Sequence, residues 1–183
     1  MFSSVLRGAF DVANLVVDST KEAAQTVATL AESAAAVTAA PVPIGRRNVV
    51  LTRLLAEGGF GFVHEARDAN TNEPYAVKRM IAQDPDSAAL AEAEVALLRR
   101  LDHPNIMALY DATTRPTERG TEHLLLLEFC PGGTLISHCI PLPSGELPPP
   151  LTLKRIVAAF VDTCRGVGYL HSQSPPIQHR DLK

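Results

Sequence analysis

Three short β-prone runs, Val49 to Leu55, Phe62 to Ala66 and Tyr75 to Ile81, follow one another with little between them. A glycine-rich stretch separates the first two, and the turn cluster Asn70-Thr71-Asn72-Glu73-Pro74 the last two, a spacing that predicts an antiparallel meander. A helix is expected next. Asp84-Pro85-Asp86-Ser87 supplies capping and acidic residues for its start and Arg99-Arg100 basic residues for its end, each suited to the helix dipole. Two more strands are expected at Ile106 to Asp111 and His123 to Phe129. Beyond Pro131-Gly132-Gly133 and a proline-rich loop, the stripe Leu153, Ile156, Val157, Phe160, Cys164, Val167 and Leu170 predicts a long helix. Gly166 and Gly168 weaken that helix by about 1 kcal/mol each if both lie inside it.

Upstream of the meander the texture differs. Residues 1–40 are rich in Ala, Ser and Thr and read as helix until Pro41-Val42-Pro43-Ile44-Gly45 stops it, because proline lacks the amide donor a helix interior requires. On a helical wheel Val5, Leu6, Phe10, Val12, Val16 and Val17 share one side with Ala9 and Ala13, and Arg7, Asp11, Asn14 and Asp18 the other. The expected division is a helical extension with a proline linker over 1–45, a sheet-rich part over 46–130 and a helical part over 131–183. At 183 residues the chain suits one ordinary domain plus an appendage.

Lys and Arg number 17 against 20 Asp and Glu, net −3, which lacks the basic excess of a nucleic-acid binder. Cys130, Cys139 and Cys164 form no CxxC pair, so neither a disulfide framework nor a zinc site is expected, and a reducing, cytoplasmic setting fits. The longest apolar run, Ile156 to Val161, is far short of the roughly 20 residues a bilayer span requires.

Chemistry concentrates in four places. In Leu55-Ala56-Glu57-Gly58-Gly59-Phe60-Gly61-Phe62-Val63 the glycines allow backbone N–H groups to approach a phosphate without a Cβ in the way, although such a hairpin can also be only a turn. Lys78 shares a strand face with Ala76, which leaves room for a flat base beside an ammonium. Glu94 falls inside the apolar stripe of Leu90, Leu97, Leu98 and Leu101, and a buried carboxylate requires a cation, for which Lys78 is the candidate. His179-Arg180-Asp181-Leu182-Lys183 places an acid between bases after the long helix.

Taken in order, these features match the protein-kinase signature set, and from about Arg47 to Lys183 the sequence resembles a eukaryotic protein kinase. Leu-Ala-Glu-Gly-Gly-Phe-Gly-Phe-Val-His-Glu-Ala-Arg-Asp from Leu55 and the run from Thr163 to Lys183 are similar to the Numb-associated kinase family, which includes cyclin-G-associated and adaptor-associated kinases. The resemblance implies an α+β, bilobal fold, of which this chain would hold the small lobe, the hinge and the first part of the large lobe behind a helical extension. It implies ATP with Mg2+ as cofactors, a protein Ser/Thr substrate and a link to clathrin adaptor subunits and vesicle traffic; the apolar side of the N-terminal wheel separately suits peripheral membrane contact through residues 1–40, or packing on the small lobe or a partner helix. Gly58, Gly59 and Gly61 would then cover the phosphates, with Ala56 at the position of the motif's first glycine. Val63 and Ala76 would flank the adenine, and Lys78, paired with Glu94, would hold the α and β phosphates. Leu127 would be the gatekeeper, Glu128 and Cys130 would bond the adenine edge through their backbones, and Leu98, Leu109 and His179 would stack in a hydrophobic spine. Asp181 would accept the substrate hydroxyl proton and Lys183 would neutralise the moving phosphoryl group.

The metal-binding Asn and the Asp-Phe-Gly triplet of that pattern are not in the 183 residues, so the expectation is an inactive fragment with its long helix exposed. Two other classes fit less of the sequence: a pseudokinase-like binding module, and a membrane-interaction protein working through its first 40 residues.

Overall fold

The computed structural model describes residues 40–58, 61–141, 145–180 and 182. The expected N-terminal helix lies, but for Ala40, outside these residues. Strands β1 (Val42–Ile44), β2 (Arg47–Gly58), β3 (Gly61–Asp68), β4 (Pro74–Ala82), β5 (Leu109–Thr117) and β6 (Gly120–Glu128) form one antiparallel sheet in the order β1-β2-β3-β4-β6-β5. Helix α1 (Pro85–Leu98) follows β4, and α2 (Leu153–Ser172) lies beyond a 3-10 turn at Leu135–His138. The described chain forms two compact units: one runs to Asp102 and takes in Ala108–Phe129, and the other joins His103–Met107 to the chain from Cys130 onward.

Two expectations about strands require correction. Val42–Ile44, expected within a proline linker, is strand β1. It lies at the end of the sheet, where the missing amide of Pro43 costs no ladder bond, and Val42 and Ile44 alternate into the core. The strand expected from Ile106 begins at Leu109. Ile106 is buried in the preceding loop, so its apolarity reports an anchor and not a strand start.

One face of the sheet carries a cluster of Val42, Ile44, Val49, Leu51, Ala66, Tyr75, Val77, Leu124 and Leu126. Leu125 and Leu127 are buried too, and by strand alternation they serve the opposite face, so β6 is covered on both sides. The two ends of the sheet are drawn together. Gly45 has φ +56°, the Asp111 carboxylate stands where its Cβ would be, and the Arg46 N–H donates to Asp111 Oδ2 at 3.1 Å. Beside this clasp the Arg47 guanidinium lies 5.5 Å from the ring centres of both Tyr75 and Tyr110, which meet edge to face at 5.3 Å.

The cluster face also holds charge. Glu122, 1% exposed, accepts from Arg79 Nε at 2.8 Å and from Arg115 Nε at 2.6 Å. Burial alone would raise its pKa, but the bonds and charges of Arg115 and Arg79 outweigh it and hold the carboxyl below its ordinary value. Nearby His64 is fully buried and neither ring nitrogen has a hydrogen-bond partner. Burial first and Arg79 second, opposed by Glu122, lower its pKa from 6.5 to about 4. Because the unfolded chain takes up this proton at higher pH than the folded one, stability is expected to fall as pH drops from 6.5 through 4. That shift corresponds to about 3 kcal/mol. His64→Leu is expected to flatten the melting temperature over this window, and an unchanged slope in the variant would contradict the assignment.

In the second unit α2 packs through its C-terminal half, and the N-terminal part of its apolar stripe is uncovered. Leu170 and Gly166 are buried, whereas Leu153, Ile156, Val157 and Phe160 are exposed, Phe160 by 69%. Both glycines lie inside the helix, and they differ in their surroundings. A Cβ on Gly166 would stand 2.9 Å from the Asn105 carbonyl oxygen, while one on Gly168 would meet nothing within 4 Å. The His103 and Tyr169 rings stack at 4.8 Å, and the Asn105 N–H donates to His103 Nδ1 at 3.1 Å. No described helix is long and apolar enough to cross a membrane.

Candidate active site

The face of the sheet opposite the core cluster assembles residues distant in sequence through strand register. Ala56, Val63, Lys78 and Leu125 lie on one rung across β2, β3, β4 and β6, and Glu65, Ala76, Leu127 and Leu109 on the next. Period-2 alternation therefore sets Val63, Ala76, Lys78 and Leu127 on a common side. Val63, Ala76 and Leu127 are all buried, leaving a small, apolar floor beside the lysine.

Helix α1 delivers the counter-charge. Its start is fixed by a capping box in which Asp84 Oδ1 accepts from the Ser87 N–H at 2.9 Å and the Ser87 hydroxyl accepts from the Asp84 N–H at 3.3 Å. Ala91, Glu94 and Leu98 form its buried side, with Leu101 buried just past its end. Glu94 thus lies in the apolar stripe, and Lys78 Nζ donates to its two oxygens at 2.8 and 3.1 Å. Each side chain of the pair is 5% exposed. Burial raises the Glu94 pKa, and the adjacent ammonium acts to lower it. Removing one member of such a pair leaves a buried charge without compensation, a loss of about 3–5 kcal/mol.

The glycine stretch closes the β2–β3 hairpin, with Gly58 opposite Gly61. Gly61 has φ +134°, and a Cβ there would run into the Arg79 carbonyl, so this turn admits only glycine. Around Gly58 there is open space, which suits the approach of a phosphate. Gly59 lies outside the described residues. At the end of β6 the Glu128 N–H donates to the Ala108 carbonyl at 2.9 Å. Cys130 is exposed, and its carbonyl accepts from the Gly133 N–H at 3.3 Å.

Of the spine residues, Leu98 and His179 are buried and Leu109 is half-buried. Arg180 takes φ +63°, uncommon for a residue with a Cβ. Asp181 and Lys183 lie outside the described residues. Among the described residues no group of three or more His, Cys, Asp or Glu could hold a metal ion. The Glu122 pair of ion bridges and the Gly166 contact have no counterpart in the sequence reading. Glu122 falls on the same strand face as Leu124 and Leu126, and that period-2 register was the available signal.

The protein kinase domain family matches residues 49–183. A probable serine/threonine-protein kinase of Dictyostelium discoideum is 37% identical over 142 residues, which are 76% of this chain and 12% of that protein. A second from the same organism is 40% identical over 143 residues, 76% of this chain and 17% of its own length. Serine/threonine-protein kinase ppk30 of Schizosaccharomyces pombe is 33% identical over 145 residues, 78% of this chain and 15% of its own length. The chain belongs to the protein kinase domain family, and it spans only a small part of the length of these relatives.

Proposed function

We propose that the chain is the nucleotide-binding part of an ATP-dependent serine/threonine protein kinase of the Numb-associated type. The observation that carries this reading is the buried Lys78–Glu94 pair on the same sheet face as Ala76 and Leu127. The residues present fit the nucleotide: Ala76 and Val63 leave a flat apolar surface, and Gly58 leaves the hairpin open. Lys78 orients the α and β phosphates while Glu94 keeps the ammonium in place. The backbones of Glu128 and Cys130 hold the adenine edge beside the gatekeeper Leu127. Asp181 takes the proton of the substrate hydroxyl, and Lys183 offsets the charge of the group in transit. Mg2+, when it accompanies the nucleotide, offsets the phosphate charge.

The motifs shared with Numb-associated kinases support clathrin adaptor subunits as substrates, the cysteine pattern supports a cytoplasmic location, and the amphipathic pattern of residues 1–40 supports contact with vesicle membranes. The test uses a chain that continues through an asparagine three residues past Lys183 and an Asp-Phe-Gly triplet, assayed with radiolabelled ATP on purified adaptor subunits. Serine or threonine labelling that is abolished by Asp181→Asn is expected. Labelling that survives the substitution, or labelling on tyrosine, would refute the reading.

A further inference from the structure

Strand β1 aims the chain that precedes it at one end of the sheet. It is antiparallel to β2, with Val42 opposite Val49 and Ile44 opposite Arg47, and it also packs against β5 and β6. Four antiparallel pairings separate β2 from β5, so those two strands run in the same direction. Followed backward from Ile44, the chain therefore advances along the seam between them, toward the end where β2 reaches Gly58 and β5 reaches Thr117. At that end Leu54, Phe62, Arg79, Ile81, Glu122 and Arg115 continue, by strand alternation, the side of the sheet that carries Ala66, Val77 and Leu124.

This end is less well covered than the rest of the face. Beside β1 the cluster is buried throughout, whereas Leu54 and Phe62 are half-buried and Ile81 is 36% exposed. The segment that suits the opening is the one β1 leads to. Residues 1–39 lie outside the described residues, and their sequence gathers Val5, Leu6, Phe10, Val12, Val16 and Val17 on one side of a helical wheel. A helix over Phe2 to Asp18 would be about 25 Å long, and the chain from Ser19 to Ala39 can extend over roughly 70 Å, so its tether to β1 does not restrict where that helix lies.

We propose that residues 1–39 dock their apolar side on Leu54, Phe62 and Ile81, closing the end of the curled sheet that β1 leaves open. The segment is then a built-in cover of the sheet, held in place by the strand that follows it. The same side cannot meet a bilayer while it lies there. The vesicle contact proposed above thus requires its release, whereas the docking itself stands independently of that contact and of the nucleotide reading.

The test is photo-cross-linking in the whole 183-residue chain, with benzoylphenylalanine placed at Phe10 on the apolar side or, as control, at Asp11 on the polar side. Position 10 is expected to attach to peptides that contain Leu54 and Phe62 or Arg79 to Ala82, about fivefold more efficiently than position 11. Ile81→Asp is expected to lower that yield severalfold, and if this variant does not fold, the comparison of the two positions decides alone. Mixing 15N-labelled with unlabelled chain identifies the partner: cross-links within one copy are expected, and cross-links between copies would overturn the proposal in favour of self-association. Attachment spread evenly over the chain, or equal from positions 10 and 11, would overturn it too. Small neutral vesicles in excess are expected to suppress the cross-link, and an undiminished yield from vesicle-bound chain would show that the docked side is not the apolar one.

Discussion

Lys78→Met is expected to abolish nucleotide binding by the chain, and Glu94→Ala to weaken it nearly as far. Methionine keeps most of the length and apolar character of the lysine stem while removing the charge. Glu94 is then left 3% exposed with no ammonium beside it, and it becomes protonated or moves toward solvent. Glu94→Ala acts through the other partner, since an ammonium without its carboxylate loses the fixed direction from which it meets a phosphate. The measurement is the thermal shift produced by ATP with Mg2+. A shift in Lys78→Met equal to that of the parent would defeat the site assignment, whatever the stability of the variant without nucleotide.

The second large effect concerns stability alone. Glu122→Ala is expected to lower the unfolding free energy by about 3–5 kcal/mol, because Arg79 loses its acceptor while 17% exposed and a cavity opens in the cluster face. Arg115→Ala removes the other bridge but is expected to cost under about 1 kcal/mol, as that guanidinium is 45% exposed and can be rehydrated. Urea unfolding at neutral pH distinguishes the two. A difference in midpoint too small to resolve would mean that the Glu122 carboxylate contributes nothing as a buried anchor. For a domain whose whole stability is on the order of 5–15 kcal/mol, the larger loss is enough to leave much of the chain unfolded.

Which parts of this architecture could be read from sequence follows from how local their causes are. The meander was legible because alternation and turn chemistry act over a few residues, and α1 was legible because Asp84, Ser87 and the apolar stripe lie within five turns of one another. The Lys78–Glu94 pair was legible for a different reason: a carboxylate in an apolar stripe is a chemical debt that only a nearby cation can settle. By contrast β1 was hidden, since Pro41 and Pro43 read as breakers unless the edge position is known. The β5 start was misplaced because Ile106 is buried by a loop contact, and a contact of that kind leaves no period. Gly166 looked only unfavourable, because the carbonyl that requires it lies sixty-one residues away and cannot be seen from the helix.

The curling of the sheet by β1 bears on how the molecule should be handled in the laboratory. The kinase match begins at Val49, which makes that residue the obvious place to start a shortened chain. Cutting there would discard Val42 and Ile44, uncover Leu51 and Leu126 beneath them, and leave Asp111 without the Arg46 amide. A shortened protein of this kind would expose a bare strand edge next to an oily floor, the combination that recruits a second copy and ends as precipitate. A start before Pro41 retains the strand as a hem along that edge, and yield on expression would report the difference directly.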